Sequence, residues 1–322
     1  MVLWEASERG VMIVSASRRT DIPRFHLDWF LNRLKEGYVL VRNPVNRTSV
    51  SRVPLDCEAV DCIAFWTKDP TPLIDRVDDL SPYPFYVQFT LNAYGNDVES
   101  ALPRKAELIH TFQNLSSMIG PHRIVWRYSP ILLSARYTVS HHLHYFEVFS
   151  KELEGYTDSC RISFLDMYPK IEHIMSENGL CAVPGTIETD LAKSLCAIGA
   201  AHGIEVGGCG SMDLGAAGMS RMGCVDARFV ERACGLPISP HRSTGSRSGC
   251  YCIPSIDIGA YDTCANGCIY CYANAAGCAS TPKKLLRADP SSAMLCDSLH
   301  PNDTVTERKA TSAIASQLSL GF

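Results

Sequence analysis

Three features of the 322-residue sequence predict an α/β fold built on a parallel sheet, open or closed as a barrel of TIM-like type. Short apolar runs alternate with amphipathic helical stretches through residues 12–208, which implies right-handed βαβ units. Pro, Gly and Asx residues punctuate the starts and stops. The apolar runs also end on polar side chains, where parallel barrels collect their reactive groups. Five or six such units favour a barrel or partial barrel.

The elements follow in order. Residues 1–11 form an N-terminal extension, and the first strand begins near Met12 in VMIVSAS (11–17). FHLDWFLNRLKEG (25–37) is the first helix, and YVLVRNPVNRTSVSRVPL (38–55) reads as a β-hairpin insertion turning near Asn46. The strand DCIAFWT (61–67) precedes the helix PLIDRVDDL (72–80). FYVQFTLN (85–92) precedes a helix over 101–120, HRIVWRYS (122–129) one over 139–153, and CRISFLD (160–166) one over 170–179. A helix over 189–203 leads into IEVGG (204–208), which ends the main unit. Residues 209–249 are a cysteine-containing segment whose end, LPISPHRSTGSRSG (236–249), is a connector rich in Ser, Gly and Pro. Residues 250–322 form a cysteine-rich C-terminal segment.

Composition excludes several classes. With 46% apolar and 20% charged residues and a net charge of −4, the chain is neither disordered nor a basic nucleic-acid wrapper. Arg18, Arg19, Arg242 and Arg247 offer at most a local phosphate patch, so a nucleic-acid partner is weakly supported. The sequence has no long apolar span and no recognisable export signal, which predicts a cytoplasmic protein without a membrane partner. Its abnormal number is cysteine: 15 residues, an odd count, six of them between 250 and 278. Without export, such clustering points to metal ligands or redox groups rather than disulfides. Scattered thiols such as Cys57, Cys160, Cys181 and Cys196 read as buried small hydrophobes.

Cys264, Cys268 and Cys271 have the spacing C-x-x-x-C-x-x-C, with Tyr270 before the third and the apolar strand SIDIG (255–259) just ahead. Three thiolates on one loop suit three corners of a [4Fe–4S] cluster, leaving the fourth iron open; tetrahedral zinc prefers four closed ligands. In FYVQFTLN, alternation puts Phe85, Val87, Phe89 and Leu91 on one face and Gln88, Thr90 and Asn92 on the other. Arg18, Arg19, Thr20 and Asp21 end the first strand, Thr67 and Lys68 the second, Arg127 and Ser129 the fourth and Asp166 the fifth. These side chains either serve a polar ligand in the lumen or cap strands in water. SRRTDIP also reads as a turn with Asp21 accepting backbone hydrogen bonds.

DTCANGCIYCYAN (262–274) resembles the cluster loop of radical SAM enzymes, in which S-adenosylmethionine (SAM) chelates the fourth iron. SASRRTDIP (15–23), AFWTKDP (64–70) and HRIVWRYSPIL (122–132) are similar to successive strands of the spore photoproduct lyase branch. In those enzymes the loop follows the first strand; here it comes late, so the resemblance implies a circular permutation in which SIDIG and its loop supply the missing first strand of a partial (β/α) barrel. The chain from Met12 to 312 also resembles an uncharacterised bacterial family with a C-terminal radical-SAM-like cysteine cluster. The resemblance implies reductive cleavage of SAM to a 5′-deoxyadenosyl radical acting on an unknown substrate, with electrons from a ferredoxin- or flavodoxin-type reductant. It makes Ser15, Thr20, Asp21, Gln88, Thr90, Asn92, Arg127 and Tyr270 candidates for binding SAM. Arg127 is equally a candidate for a structural ion pair. One departure is the absence of a G-G-E segment after the SRRTD strand.

Cys209, Cys224, Cys250 and Cys252 sit beside glycines or turn residues and suit a second, closed [4Fe–4S] cluster or a zinc site. The other reading is a C-x-C turn without metal and two buried thiols. Cys278 and Cys296 are spare candidates. His141, His142 and His144 have no partner at ligand spacing and predict a solvated helix face. From a different functional class, the cysteines would also suit a non-catalytic zinc or iron–sulfur module recognising a nucleic acid or protein.

Overall fold

The computed structural model describes residues 12–208, 214–238, 250–274, 285 and 287–308. Cys209, Cys278, Arg242, Arg247 and the connector from 239 to 249 lie outside the described residues. The chain begins with β1 (Met12–Ala16), α1 (Ile22–Phe25), α2 (Leu27–Glu36), β2 (Tyr38–Arg42), β3 (Ser49–Pro54) and β4 (Val60–Thr67). It continues through α3 (Thr71–Ile74), β5 (Phe85–Thr90), α4 (Lys105–Ile119), β6 (Ile124–Ile131), α5 (Val139–Glu152) and β7 (Ser159–Phe164). Then follow α6 (Pro169–Glu177), α7 (Gly185–Ala201), β8 (Glu205–Gly208), α8 (Leu214–Ala217), β9 (Ser220–Arg221), α9 (Ala227–Cys234), β10 (Ile256–Asp257) and β11 (Thr304–Glu307).

Eight strands form one parallel sheet in the order β10-β1-β4-β5-β6-β7-β8-β9. The late strand β10 lies outside β1, pairing Ile256 with Val14 and Asp257 with Ser15. Among the described residues the edge strands β9 and β10 do not pair with each other, so the expected barrel is met as a parallel sheet. The chain just beyond β9 does meet the chain just before β10, where the Ile253 N–H donates to the Val225 carbonyl at 3.0 Å. The hairpin expected at 38–55 is present as antiparallel β2 and β3, and β11 joins it in a separate three-stranded sheet.

The sheet has two unlike faces. Its outer face carries Val14, Phe65, Val87, Phe89 and Trp126 under the helices. There Phe30 of α2 meets Phe65 at 5.4 Å, and Phe146 of α5 stacks on Trp126 at 4.6 Å. Each such fully buried side chain contributes about 1.5–3 kcal/mol. On the inner face Ile13, Ala64, Trp66, Tyr86 and Val125 form an apolar cluster with Phe229 and Val230 of α9. Nearer the C-terminal ends Thr67, Thr90, Arg127 and Arg161 line a cavity, and in β5 the alternation of FYVQFTLN puts Gln88 and Thr90 on this face.

Two expected helices differ. The helix expected from residue 101 starts at Lys105, because Ser100 and Ala101 donate their N–H groups to the carbonyls of Gly267 and Asn266 in the cysteine loop. The stretch 72–80 divides into α3 and a 3₁₀ turn, Val77–Leu80. The solvated face expected for the histidines fails at His142, which is fully buried. Its ring bonds the Tyr128 hydroxyl at 2.7 Å and the Leu132 carbonyl at 2.8 Å, and burial lowers its pKa to about 4. No helix among the described residues is long and apolar enough to cross a membrane.

Candidate functional site

A cavity of about 530 Å³ opens over the C-terminal ends of β1, β4, β5, β6 and β7. Cys264, Cys268 and Cys271 line it, and so do Cys224, Cys250 and Cys252. The loop that carries the first three is pinned by backbone and side chain alike. Ile269 N–H bonds the Val98 carbonyl at 3.1 Å, Cys271 N–H the Cys268 carbonyl at 3.1 Å, and Asn274 Nδ2 the Cys264 carbonyl at 2.8 Å. Gly267 has φ +68°, and a Cβ there would lie 2.1 Å from Ser100 Oγ, so this position takes glycine for both conformation and space.

The segments that follow β1 and β4 hold the loop's other flank. Asp21 is buried and accepts from Lys68 N–H at 2.8 Å, Asn266 Nδ2 at 2.9 Å and Arg24 N–H at 3.2 Å. Burial raises its pKa, and bonds from Lys68 N–H, Asn266 and Thr67, with the Arg24 charge, oppose the rise only in part. Arg24 in turn donates to the Asn266 side chain and to the Ala101 carbonyl. Asp257 plays a similar part beside it, accepting from Ser15 Oγ at 3.0 Å, Ser17 Oγ at 2.7 Å and Arg18 N–H at 2.8 Å. Arg18 and Arg19 lie 3.6 and 3.8 Å from the same carboxylate, so half of the expected basic patch is engaged within the fold.

Beneath Tyr270 lies a buried polar network. Lys68 Nζ donates to Glu99 Oε1 at 2.7 Å and to the Tyr270 hydroxyl at 2.9 Å, and Lys105 Nζ donates to Glu99 Oε2 at 2.7 Å. Asn92 Nδ2 reaches Glu99, Tyr270 and the Ser129 carbonyl within 3.1 Å. Burial favours a neutral Glu99, but the two ammonium groups outweigh it and hold its pKa at about 2. Burial, with Asp21 and Cys271 nearby, pushes the Cys264 thiol up to about 12, and burial drives Cys268 well above its usual range.

Among the expected SAM-binding residues, Thr20, Asp21, Thr90, Arg127 and Tyr270 line the cavity. Ser15, Gln88 and Asn92 do not: Ser15 bonds Asp257, Gln88 donates to the Cys224 carbonyl, and Asn92 serves the Glu99 network. Arg127 lies over the Trp66 ring at 4.5 Å and donates to Gln88 Oε1 at 3.3 Å. Among the described residues the buried Thr20 hydroxyl has no hydrogen-bond partner. Of the second cysteine set, Cys224 N–H points at Cys252 Sγ at 3.2 Å, while Cys209 is outside the described residues. Among the described residues no three His, Cys, Asp or Glu side chains converge as ligands of a single ion. Sequence reasoning missed Glu99, Asn266 and Asp257 as organisers of the site; the sole signal was an acid within an apolar strand, SIDIG.

Fold and site together define an α/β protein with a thiol-lined cavity at the C-terminal edge of a parallel sheet. The chain belongs to the DUF1848 family, a domain of unknown function, whose match covers residues 13–273 and so includes the cysteine loop. No curated protein matches the chain.

Proposed function

We propose that this protein is an iron–sulfur enzyme of the radical SAM type on a circularly permuted partial barrel. One observation carries the reading: β10, about 240 residues after its partner, pairs with β1 and delivers a three-cysteine loop onto the cavity formed by the polar strand ends. Cys264, Cys268 and Cys271 would hold three irons of a [4Fe–4S] cluster. A cubane offers each thiolate its own iron, so it suits thiols spread along a loop better than one zinc ion does. When bound, the cluster would supply the electron that splits SAM into methionine and a 5′-deoxyadenosyl radical, which then takes hydrogen from the substrate.

The chain's own part is placement. Asp21, Asn266 and Arg24 fix the loop against β1 and β4, and Glu99 with Lys68 fixes it through Tyr270. Thr20, Thr90 and Arg127 face the space left for SAM. Cys224, Cys250 and Cys252, with Cys209, are candidates for a second cluster or zinc site on the same cavity.

Anaerobic iron–sulfide reconstitution tests the reading. The brown protein is expected to turn SAM into 5′-deoxyadenosine and methionine under strong reductant. The triple variant Cys264→Ala, Cys268→Ala, Cys271→Ala is expected to remain folded and lose this turnover. A cluster-loaded protein that binds SAM without ever cleaving it, or about one zinc and no iron per chain, would overturn the reading in favour of a binding module.

A further inference from the structure

Two thiols face each other near the end of β4 that lies away from the cavity. Cys62 sits near the start of β4 on the inner face, and Cys234 is the last residue of α9. Cys62 is fully buried and Cys234 is partly exposed. The Cys234 thiol donates to the Asp61 carbonyl at 3.1 Å, 173 positions back along the chain. That bond sets it beside the Cys62 thiol, with which it shares a side-chain hydrogen bond. Neither thiol lines the cavity, and neither belongs to the two cysteine groups there.

A cysteine that only fills space needs apolar neighbours and nothing else. This pair has more. Its partly exposed member gives an oxidant a way in, and its buried member is placed to resolve the product. The Arg123 guanidinium, held by the Ile119 carbonyl at 2.8 Å, favours a thiolate at Cys62, while the Asp61 carboxylate opposes one. Burial outweighs the guanidinium and pushes the Cys62 thiol up, so this member keeps its proton. The roles therefore divide: Cys234 meets the oxidant and Cys62 resolves.

We propose that Cys62 and Cys234 form a reversible dithiol–disulfide site whose oxidant is a hydroperoxide. In the first step the Cys234 sulfur attacks a peroxide oxygen and the O–O bond breaks. With hydrogen peroxide this gives a sulfenic acid on Cys234 and one water. In the second step the Cys62 sulfur displaces the sulfenic hydroxyl, which leaves as water with the Cys62 proton. Two electrons pass from the sulfur pair to the peroxide, and a dithiol reductant returns them. The new bond ties the foot of α9 to β4. At the head of the same helix, the N-cap Asp226 accepts from the Gly223 N–H at 2.7 Å and so holds the turn that brings Cys224 to the cavity. Oxidation thus anchors the helix on which that turn depends.

The test treats the full-length protein, freshly reduced and freed of reductant, with hydrogen peroxide and maps the disulfides in a non-reduced digest. A Cys62–Cys234 cross-link is expected, with a rise in melting temperature that dithiothreitol reverses. The variant Cys234→Ser is expected to lose both the cross-link and the rise. Because Cys62 is a core position, Cys62→Ala is read by chemistry rather than by stability: it should trap a sulfenic acid on Cys234 that dimedone labels. Cys62 left as a free thiol in the treated wild type, or joined to a partner other than Cys234, overturns the proposal. So does a rise in melting temperature that Cys234→Ser retains. The cross-link is scored without reference to SAM cleavage, so this site and the radical reading fail separately.

Discussion

The two cysteine groups on the cavity are built in opposite ways. Cys264, Cys268 and Cys271 lie within eight residues, and both flanks of their loop are tied down, to Val98–Ala101 on one side and to Asp21 and Arg24 on the other. Cys224 and the Cys250–Cys252 pair come from chain segments at opposite edges of the sheet. They are joined by the Cys224–Cys252 contact and the Ile253–Val225 hydrogen bond. The first group is organised before any ligand arrives; the second depends on the two sheet edges meeting. Preorganisation of this kind lowers the cost of binding, which under the proposed function favours the first group as the cluster site.

The largest effect that separates the two groups should come from Glu99→Ala. It leaves Lys68 and Lys105 facing each other in a buried site and costs about 3–5 kcal/mol. Denaturant unfolding would measure the loss, and the reconstituted variant should hold less iron at the first group. An unchanged midpoint would mean that Tyr270 and its loop stand without this network. Next comes Gly267→Ala, which forces a left-handed backbone and a clash with Ser100 Oγ, for about 1–3 kcal/mol. It should loosen the first group and spare the second.

The mirror test is Gly223→Ala. A Cβ there would lie 2.8 Å from the Tyr251 carbonyl oxygen, backbone that has little room to give. The expected cost is about 1–2 kcal/mol, with faster thiol labelling at Cys224, Cys250 and Cys252 and unchanged iron at the first group. If both glycine variants disturb both groups equally, the two are one mechanical unit.

The βα alternation was readable because local periodicity writes it: Phe85, Val87 and Phe89 face the helices as their spacing demands. The three-cysteine loop was readable for the same reason, being a local pattern. What stayed hidden depends on residues far apart in sequence. Glu99 looks like an ordinary loop acid until Lys68, Lys105 and Tyr270 surround it. His142 reads as a surface residue until Tyr128 and Leu132 take both its ring nitrogens. Helix α9 escaped notice because only Phe229 and Val230 in its eight residues are buried.

The position of β10 also sets a timetable for synthesis. Asp257 meets Ser15 across 242 residues of chain, so the edge of β1 has no such neighbour until nearly the whole protein has left the ribosome. At roughly 5–20 residues per second, that interval is on the order of ten to fifty seconds. The thiols of the loop emerge only after the walls of their cavity have been made. A chain that stops before β10 therefore has most of its sheet but lacks the three-cysteine loop.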